Sequence, residues 1–364
     1  MASATARSGG VPTVLSLKRA PAEVTVVIPS RDRWQTLLTH GLASAQSQEG
    51  VELDIVVVDD GSRDDTRARV EEVGDARVHV IRSDRSAGVS VARNAGIDAA
   101  SGEWIALLDD DDLWSPSKLR KQLDTAKRAD ASFVYSDVVH VEGGGRVLNV
   151  HRAPDPLQLR ERLLTGHPIP AGSSNIVVRT ELARSVGRFD PRFSAIEDFD
   201  WWIRLAQVGV AAHLETVHVA YVEHPGGRHL SFSEFVDAFD LLSQKHGQLS
   251  RELGVHLDPQ PFARWVASGQ LTAGRPRDGA RTYLLAAKRY RRVSNLLRAA
   301  DFAFGAPATR FRRRLTARWR GPGTDAETRR AVAAGELAWL GDALGRSRIV
   351  PRRSSAGIQN SRNA

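Results

Sequence analysis

The chain has 364 residues, 41% of them hydrophobic and 26% charged, with a formal net charge of +8. That length allows roughly two domains and a sizeable core, and the mix argues against wholesale disorder or a fibrous repeat. The complete lack of cysteine excludes a disulfide framework, a thiolate nucleophile and a cysteine-ligated metal centre, and no stretch approaches the ~20 apolar residues that cross a bilayer.

Charge is unevenly spread. Between Arg275 and Arg320 fourteen Lys/Arg face only Asp278 and Asp301, which leaves the remainder mildly acidic. Residues 1–22 hold scattered basic groups without an apolar block and read as a mobile lead-in. Residues 23–231 then alternate in the manner of an α/β domain. Val24 to Ile28 is a β-branched strand stopped by Pro29, and Trp34, Leu37, Leu38 and Leu42 follow at helical spacing. Ile55 to Val58 is a second strand, with Ser62 and Asp65 placed as a capping box for the next helix. Arg77 to Ile81 predicts a third strand, Val89 to Ala100 a helix, and Trp104 to Leu108 a fourth strand. Ser115-Pro116 suits the start of another helix. Apolar strands alternating with helices imply a mostly parallel sheet covered on both faces, whose ligands gather at the strands' carboxyl ends. Ala131 to Val141 reads as a further strand and Gly143 to Gly145 as a turn. The pattern then loosens, with helices expected at Leu157 to Leu164 and Asp198 to Ala206. Residues 232–320 form a helical, basic region with helices at Phe262 to Leu271 and Gly279 to Arg292, and residues 321–364 a short helix and a disordered tail.

Three acidic clusters punctuate this pattern. Asp109-Asp110-Asp111-Asp112 follows an apolar strand directly. Extended backbone would project Asp109 and Asp111 to one side and Asp110 and Asp112 to the other. Crowded carboxylates raise one another's pKa or recruit a cation, and oxygen-only ligands suit Mg²⁺ or Mn²⁺; the plainer alternative is one helix-capping acid and three solvated ones. Asp59-Asp60-Gly61-Ser62 also ends a strand, where it is either turn chemistry or a pair of acceptors for a base or a ribose. Glu197-Asp198 opens a helix, where a carboxylate is either a general base or a favourable partner of the helix dipole. Trp201 and Trp202 behind it either pack in the core or line a site. His224 and His229 flank Pro225-Gly226-Gly227-Arg228, a loop able to meet a diphosphate.

Taken in order, five segments resemble family 2 inverting glycosyltransferases of the GT-A fold: Val26 to Arg33, Val57 to Ser62, Ala92 to Gly96, Leu108 to Asp112 and Glu197 to Asp200. The resemblance spans about Glu23 to Ser231. It implies a Rossmann-like α/β domain that moves a sugar from a nucleoside-diphosphate donor to an acceptor hydroxyl with inversion, assisted by a divalent cation, Mn²⁺ or Mg²⁺. Residue by residue it implies Asp59 and Asp60 at the nucleotide, with Pro29, Ser30, Arg31 and Arg93 beside them. Asp109 and Asp111 become the DxD element on ribose and metal, with Asp110 beside them at the donor and His224 a late contact to metal or diphosphate. Asp198 becomes the base, and Glu197, Trp201 and Trp202 its acceptor side. Departures from the family pattern are the all-aspartate quartet and Asp32, where asparagine is frequent. The expected acceptor is an envelope glycan, free or lipid-linked, and the expected location is the cytoplasm. Arg310 to Arg320 would touch the inner face of the membrane, and no specific nucleic acid is expected. Two rivals are an aspartate-dependent phosphotransferase and a non-catalytic nucleotide- or polyanion-binding module.

Overall fold

The structure, a computed structural model, describes residues 22–166, 168–223, 231–272, 274–291, 293–304 and 323–345. The expected lead-in, His224, His229, the Arg310 to Arg320 segment and the end of the tail lie outside the described residues.

In chain order the first half runs β1 (Val24–Ser30), α1 (Trp34–Thr39), α2 (Gly41–Gln46), β2 (Leu53–Asp59), α3 (Thr66–Glu71), β3 (Val78–Arg82), α4 (Val89–Ala99), β4 (Trp104–Leu107), β5 (Leu113–Trp114) and α5 (Lys118–Ala129). The second half runs β6 (Phe133–Glu142), β7 (Val147–His151), α6 (Leu159–Thr165), β8 (Val177–Arg179), α7 (Thr180–Ser185), α8 (Glu197–Val208) and β9 (Ala211–Glu223). Helices α9 (Phe232–Glu252), α10 (Pro259–Thr272), α11 (Pro276–Tyr290) and α12 (Val293–Phe304) follow, then α13 (Gly323–Ala333) and α14 (Ala338–Ala343).

The strands form one sheet in the order β3-β2-β1-β4-β8-β6-β9-β5, with β7 on β6. β3, β2, β1 and β4 pair in parallel, and every residue of β1 and β2 is buried, as expected of strands covered on both faces. Beyond β4 the sheet is mixed: β8 runs antiparallel to β4 and β6, β5 antiparallel to β9, and only β6 and β9 pair in parallel. In register, Ser30 lies beside Asp59 and Asp59 beside Arg82, so the carboxyl ends of the first three strands finish level. Helix α4 lies close on β1 because Gly96 has no side chain: a Cβ there would sit 2.1 Å from Val27 Cγ1.

Three local departures from the sequence reading shape the site. The helix expected to run unbroken past Trp34 splits at His40, and the Gly41 amide after the break donates to the Asp110 carbonyl at 3.3 Å. Helix α5 starts at Lys118 rather than at Ser115-Pro116, because Leu113 and Trp114 pair with β9 and the Ser115 amide continues that pairing to the His218 carbonyl at 3.0 Å. No capping box forms at Ser62. Asp64 Oδ1 caps α3 by accepting from the Thr66 amide at 3.0 Å, while Ser62 is held by Asp59 and Asp32.

The C-terminal helices build on this sheet domain. Helix α9 begins with a capping box, Ser231 and Glu234 satisfying each other's amides. Phe235, Phe239 and Phe262 share one core with Phe199 of α8, and the Phe199 and Phe262 rings meet edge to face at 4.9 Å. Asp200, buried on α8, accepts from His246 at 2.8 Å and pairs with Lys245 at 2.9 Å on α9. Helices α13 and α14 return to β7 and β9: Thr328 Oγ1 accepts from the Val150 amide at 3.1 Å, and Glu336 pairs with Arg152 at 2.9 Å. Among the described residues no helix is long and apolar enough to cross a membrane.

Candidate active site

The site begins where β4 ends. Its backbone stays bonded to β1 as far as the Leu108 amide, which donates to the Val27 carbonyl at 3.1 Å, and then turns, with the Asp112 amide on the Asp109 carbonyl at 3.3 Å. The four acids therefore occupy a turn and not the extended strand end expected from the sequence. Burial still alternates: the Asp109 and Asp111 side chains are 34% and 19% exposed, Asp110 only 6%, and Asp112 is buried at 1%. The turn is fixed from outside by the Asp109 amide donating to Ser174 Oγ at 3.0 Å, with the neighbouring Ser174 carbonyl held by Trp114 Nε1 at 2.7 Å.

Two arginines divide the quartet. Arg33 spans Asp110 at 3.1 Å and Asp111 at 2.7 Å. Asp110 also accepts from Ser30 Oγ at 2.7 Å, yet burial, helped by the Asp111 charge, pushes its carboxyl up to about 7. Asp112 accepts from the Val222 amide at 3.2 Å, and burial followed by the Asp111 and Asp109 charges holds its pKa well above the ordinary carboxylate value. Arg93, buried on α4 with its guanidinium over the Phe189 ring, bonds Asp109 at 2.6 Å and Glu197 at 2.7 Å. The bridge joins the acid turn to the first turn of α8, residues about a hundred positions apart in the chain. Burial raises the Glu197 pKa even with Arg93 against it.

Asp198 stands beside this bridge. Its Oδ1 accepts from the Phe199 amide at 2.8 Å, and its Oδ2 fills the space over Gly172, where a Cβ would come within 2.2 Å. Gly172 has φ +44°, and the flanking Ala171 and Ile196 have φ +56° and +54°. A β-branched residue in the left-handed region is a true outlier, and such strain concentrates at functional sites where surrounding structure enforces it. Ile196, immediately before Glu197, is that outlier here.

The acids expected at the nucleotide are spent mainly on their own loops. Asp59 is fully buried, accepting from the Ser62 amide at 2.8 Å and pairing with Arg82 at 2.6 Å. Asp60 accepts from Ser86 Oγ at 2.7 Å and from the Ala87 and Gly88 amides at 2.8 and 3.0 Å. Arg31 donates to Ser86 Oγ at 2.9 Å, and Asp32 accepts from the Arg63 amide at 2.6 Å, which lowers its pKa. The loops after β1, β2 and β3 are thus laced into one rim, with Pro29 and Ser30 at its base.

The expected acceptor-side role of Trp201 and Trp202 needs correction. Both are fully buried: Trp201 packs on Phe189 at 4.6 Å and Trp202 on Phe133 and Tyr135 at 6.0 and 6.1 Å. They anchor α8 in the core and cannot meet a ligand. Sequence reasoning missed Arg33, Gly172 and Ser174. Arg33 sits in a quoted motif without a partner assigned, and Gly172-Ser173-Ser174-Asn175 is a cluster of turn residues in the stretch where periodicity faded.

The acids suit a divalent cation. Mg²⁺ and Mn²⁺ take one or two carboxylates and leave the rest of their sphere to water or phosphate. Asp109 and Asp111 are oxygen donors that reach solvent, beside an Asp110 whose pKa is raised by burial first and then by the Asp111 charge. Among the described residues no three His, Asp or Glu side chains converge as a ready-made metal cage.

Known proteins match the same part of the chain. The family described as Glycosyl transferase family 2 matches residues 25–187. The succinoglycan biosynthesis protein ExoO of Rhizobium meliloti is 37% identical over 159 residues, 44% of each chain. The Escherichia coli UDP-Glc:alpha-D-GlcNAc-diphosphoundecaprenol beta-1,3-glucosyltransferase WfgD is 32% identical over 114 residues, 31% of this chain and 45% of that one. The chain thus spans less than half the length of both relatives. Among solved structures, S. aureus TarS 1-349 in complex with UDP-GlcNAc has a TM-score of 0.51 at 18% identity, covering 77% of this chain and 80% of that one, a likeness of fold. Residues 25–187, with their acid turn and laced rim, belong to glycosyltransferase family 2.

Proposed function

We propose that the protein transfers a sugar, with inversion, from a nucleoside-diphosphate donor to a hydroxyl of an envelope glycan, free or carried on a lipid. The observation that carries this reading is the Arg93 bridge, which brings a solvent-reaching acid of the DxD turn, Asp109, beside the acidic start of α8. That juxtaposition supports a site in which holding the donor and activating the acceptor meet at one anomeric carbon. The succinoglycan and diphosphoundecaprenol relatives support the glycan class of acceptor.

In this reading the rim formed by Pro29, Ser30, Arg31, Asp59 and Asp60 receives the nucleotide, chiefly through backbone, because both aspartates already hold loops. Asp109 and Asp111 would hold the divalent cation, which when bound offsets the negative charge developing on the diphosphate. Arg33 adds positive charge at the same point. Asp198 takes the proton from the acceptor hydroxyl as its oxygen attacks from the face opposite the diphosphate. Arg93 keeps Glu197 and Asp109 from repelling each other and fixes the angle of α8. A thermal-shift panel of nucleotide sugars, with and without Mn²⁺, tests the donor class, because a ligand bound only by the native state raises stability in step with its affinity. Stabilisation by one or more nucleotide sugars, larger with Mn²⁺, is expected; a panel without any shift refutes the reading.

A further inference from the structure

Ten large hydrophobic side chains are exposed among the described residues, and five of them, Trp265, Leu284, Leu285, Leu296 and Leu297, fall on α10, α11 and α12. Helix α11 buries Gly279, Ala280, Thr282, Tyr283, Ala286 and Ala287, so its outer face carries Leu284 and Leu285. Helix α12 buries Ala299 against Ala267 and Tyr283 and leaves Leu297 69% exposed. The chain reverses between them at Arg291, a left-handed residue with φ +52°. Leu284 and Leu285 lie seven and six residues before that turn, and Leu296 and Leu297 five and six after it. At 1.5 Å per residue both pairs stand ~9 Å from the turn, level with each other on adjacent helices.

The surround of this apolar strip is cationic. Arg277, Arg281 and Lys288 share the exposed face of α11 and form no ion pair among the described residues. Arg289 is turned aside to Asp240 of α9 at 2.5 Å, and Asp278 is matched by Arg275 at 2.6 Å. Past α12 the sequence adds six arginines between Arg310 and Arg320 with no acid between Asp301 and Asp325. Leucines ringed by unpaired basic groups are the pattern of a surface that seats its apolar side chains at the headgroup boundary of an anionic bilayer, which uses both the leucines and the cations.

We propose that the outer faces of α11 and α12 dock the protein on an anionic lipid membrane through Leu284, Leu285, Leu296 and Leu297, steered by Arg277, Arg281 and Lys288. The inference extends beyond the proposed transfer reaction and does not depend on it. Co-sedimentation of the full chain with vesicles of phosphatidylglycerol and phosphatidylcholine, against vesicles of phosphatidylcholine alone, tests it. The wild type is expected to partition to the anionic vesicles only. Leu285→Ser combined with Leu297→Ser, both at exposed positions, is expected to lower that partition about tenfold or more, and Arg281→Gln or Lys288→Gln about fivefold each. Melting temperatures equal to wild type, and an unchanged shift with nucleotide sugar, separate lost docking from lost folding or lost donor binding. Failure of the wild type to bind anionic vesicles overturns the proposal. So does unchanged binding by the leucine double variant, or a dimer in light scattering that the same variant dissolves, which would assign the face to a second copy of the chain.

Discussion

The two halves of the sheet use their acids in opposite ways. In the parallel half, β1 to β4, Asp59 and Asp60 are consumed by amides and by Arg82, so that they shape loops. At the seam with the mixed half, Asp109, Asp111 and Glu197 are balanced by arginines, and two of them reach solvent. An acid buried under backbone amides is fixed by folding, whereas a solvent-reaching one opposite a guanidinium keeps lone pairs and charge to offer a ligand. Residue type alone does not separate the two; what folds against it does.

This contrast can be broken most sharply at Asp198. Asp198→Asn keeps the shape of the side chain and removes its basicity, and turnover of nucleotide sugar is expected to fall by about 10²–10⁴-fold with folding intact. Near-wild-type turnover would place the base elsewhere. Arg93→Met breaks the buried Arg93–Glu197 pair and leaves Asp109, which reaches solvent, unbalanced beside it. Breaking such a pair costs about 3–5 kcal/mol, to be read as a lower denaturant midpoint together with a fall in kcat. A variant that loses stability without losing kcat would make the bridge purely structural. Gly172→Ala places a methyl 2.2 Å from Asp198 Oδ2 at a φ of +44°, so kcat should drop while donor affinity holds.

Asp59→Asn tests the other half. Loss of charged hydrogen bonds to Arg82 and Ser62 should cost about 1.5–3 kcal/mol in chemical denaturation, with kcat in the surviving folded fraction unchanged; a selective loss of nucleotide affinity at full stability would give Asp59 a direct binding role. The smallest effect concerns pH. His151 is depressed to about 4, by burial first and then by its neighbour His140, and burial takes His218 to about 3. Both are therefore neutral in the native state, while the unfolded chain takes up protons below about 6.5. Stability is accordingly complete above that pH and declines as pH falls toward 4. His151→Gln should flatten part of this slope in melting curves recorded between pH 7 and 4, and an unaltered slope would show that His151 does not carry it.

The parallel half was legible in the sequence because most of its strands carry an apolar run ending at a polar turn. Thus β1, β2 and β4 start and stop close to where periodicity puts them, and the acid clusters stand at their ends. Of the mixed half, β6 and the turn after it were also legible, as Ala131 to Val141 and Gly143 to Gly145, while β8 and β9 were hidden for a physical reason. Strand β9 carries His213, Glu215 and His218 within thirteen residues, and two of these polar groups find remote partners: His213 meets Asp137 at 2.8 Å and His218 meets Ser115. Polar residues satisfied across a sheet look like loop when read along the chain. The two-residue strand β5 was equally invisible, since its partners, β9 and Ser174, are remote in the chain. The arginine pairs that organise the site, Arg33 to Asp111 and Arg93 to Glu197, span 78 and 104 positions, and no local spacing announces such contacts. Trp201 and Trp202 mislead in the other direction: an aromatic pair beside acids suggests a sugar platform, yet both rings are needed to bury α8.

The central claim is that the arginine-divided acid turn holds a sugar nucleotide while Asp198 acts only on the acceptor. Calorimetric titration of the donor identified by the nucleotide-sugar panel, with Mn²⁺, into wild type, Asp198→Asn and Asp111→Ala measures this directly. Equal affinity for the first two and loss of Mn²⁺-dependent binding in Asp111→Ala is the predicted result. Undiminished Mn²⁺-dependent binding by Asp111→Ala would contradict it.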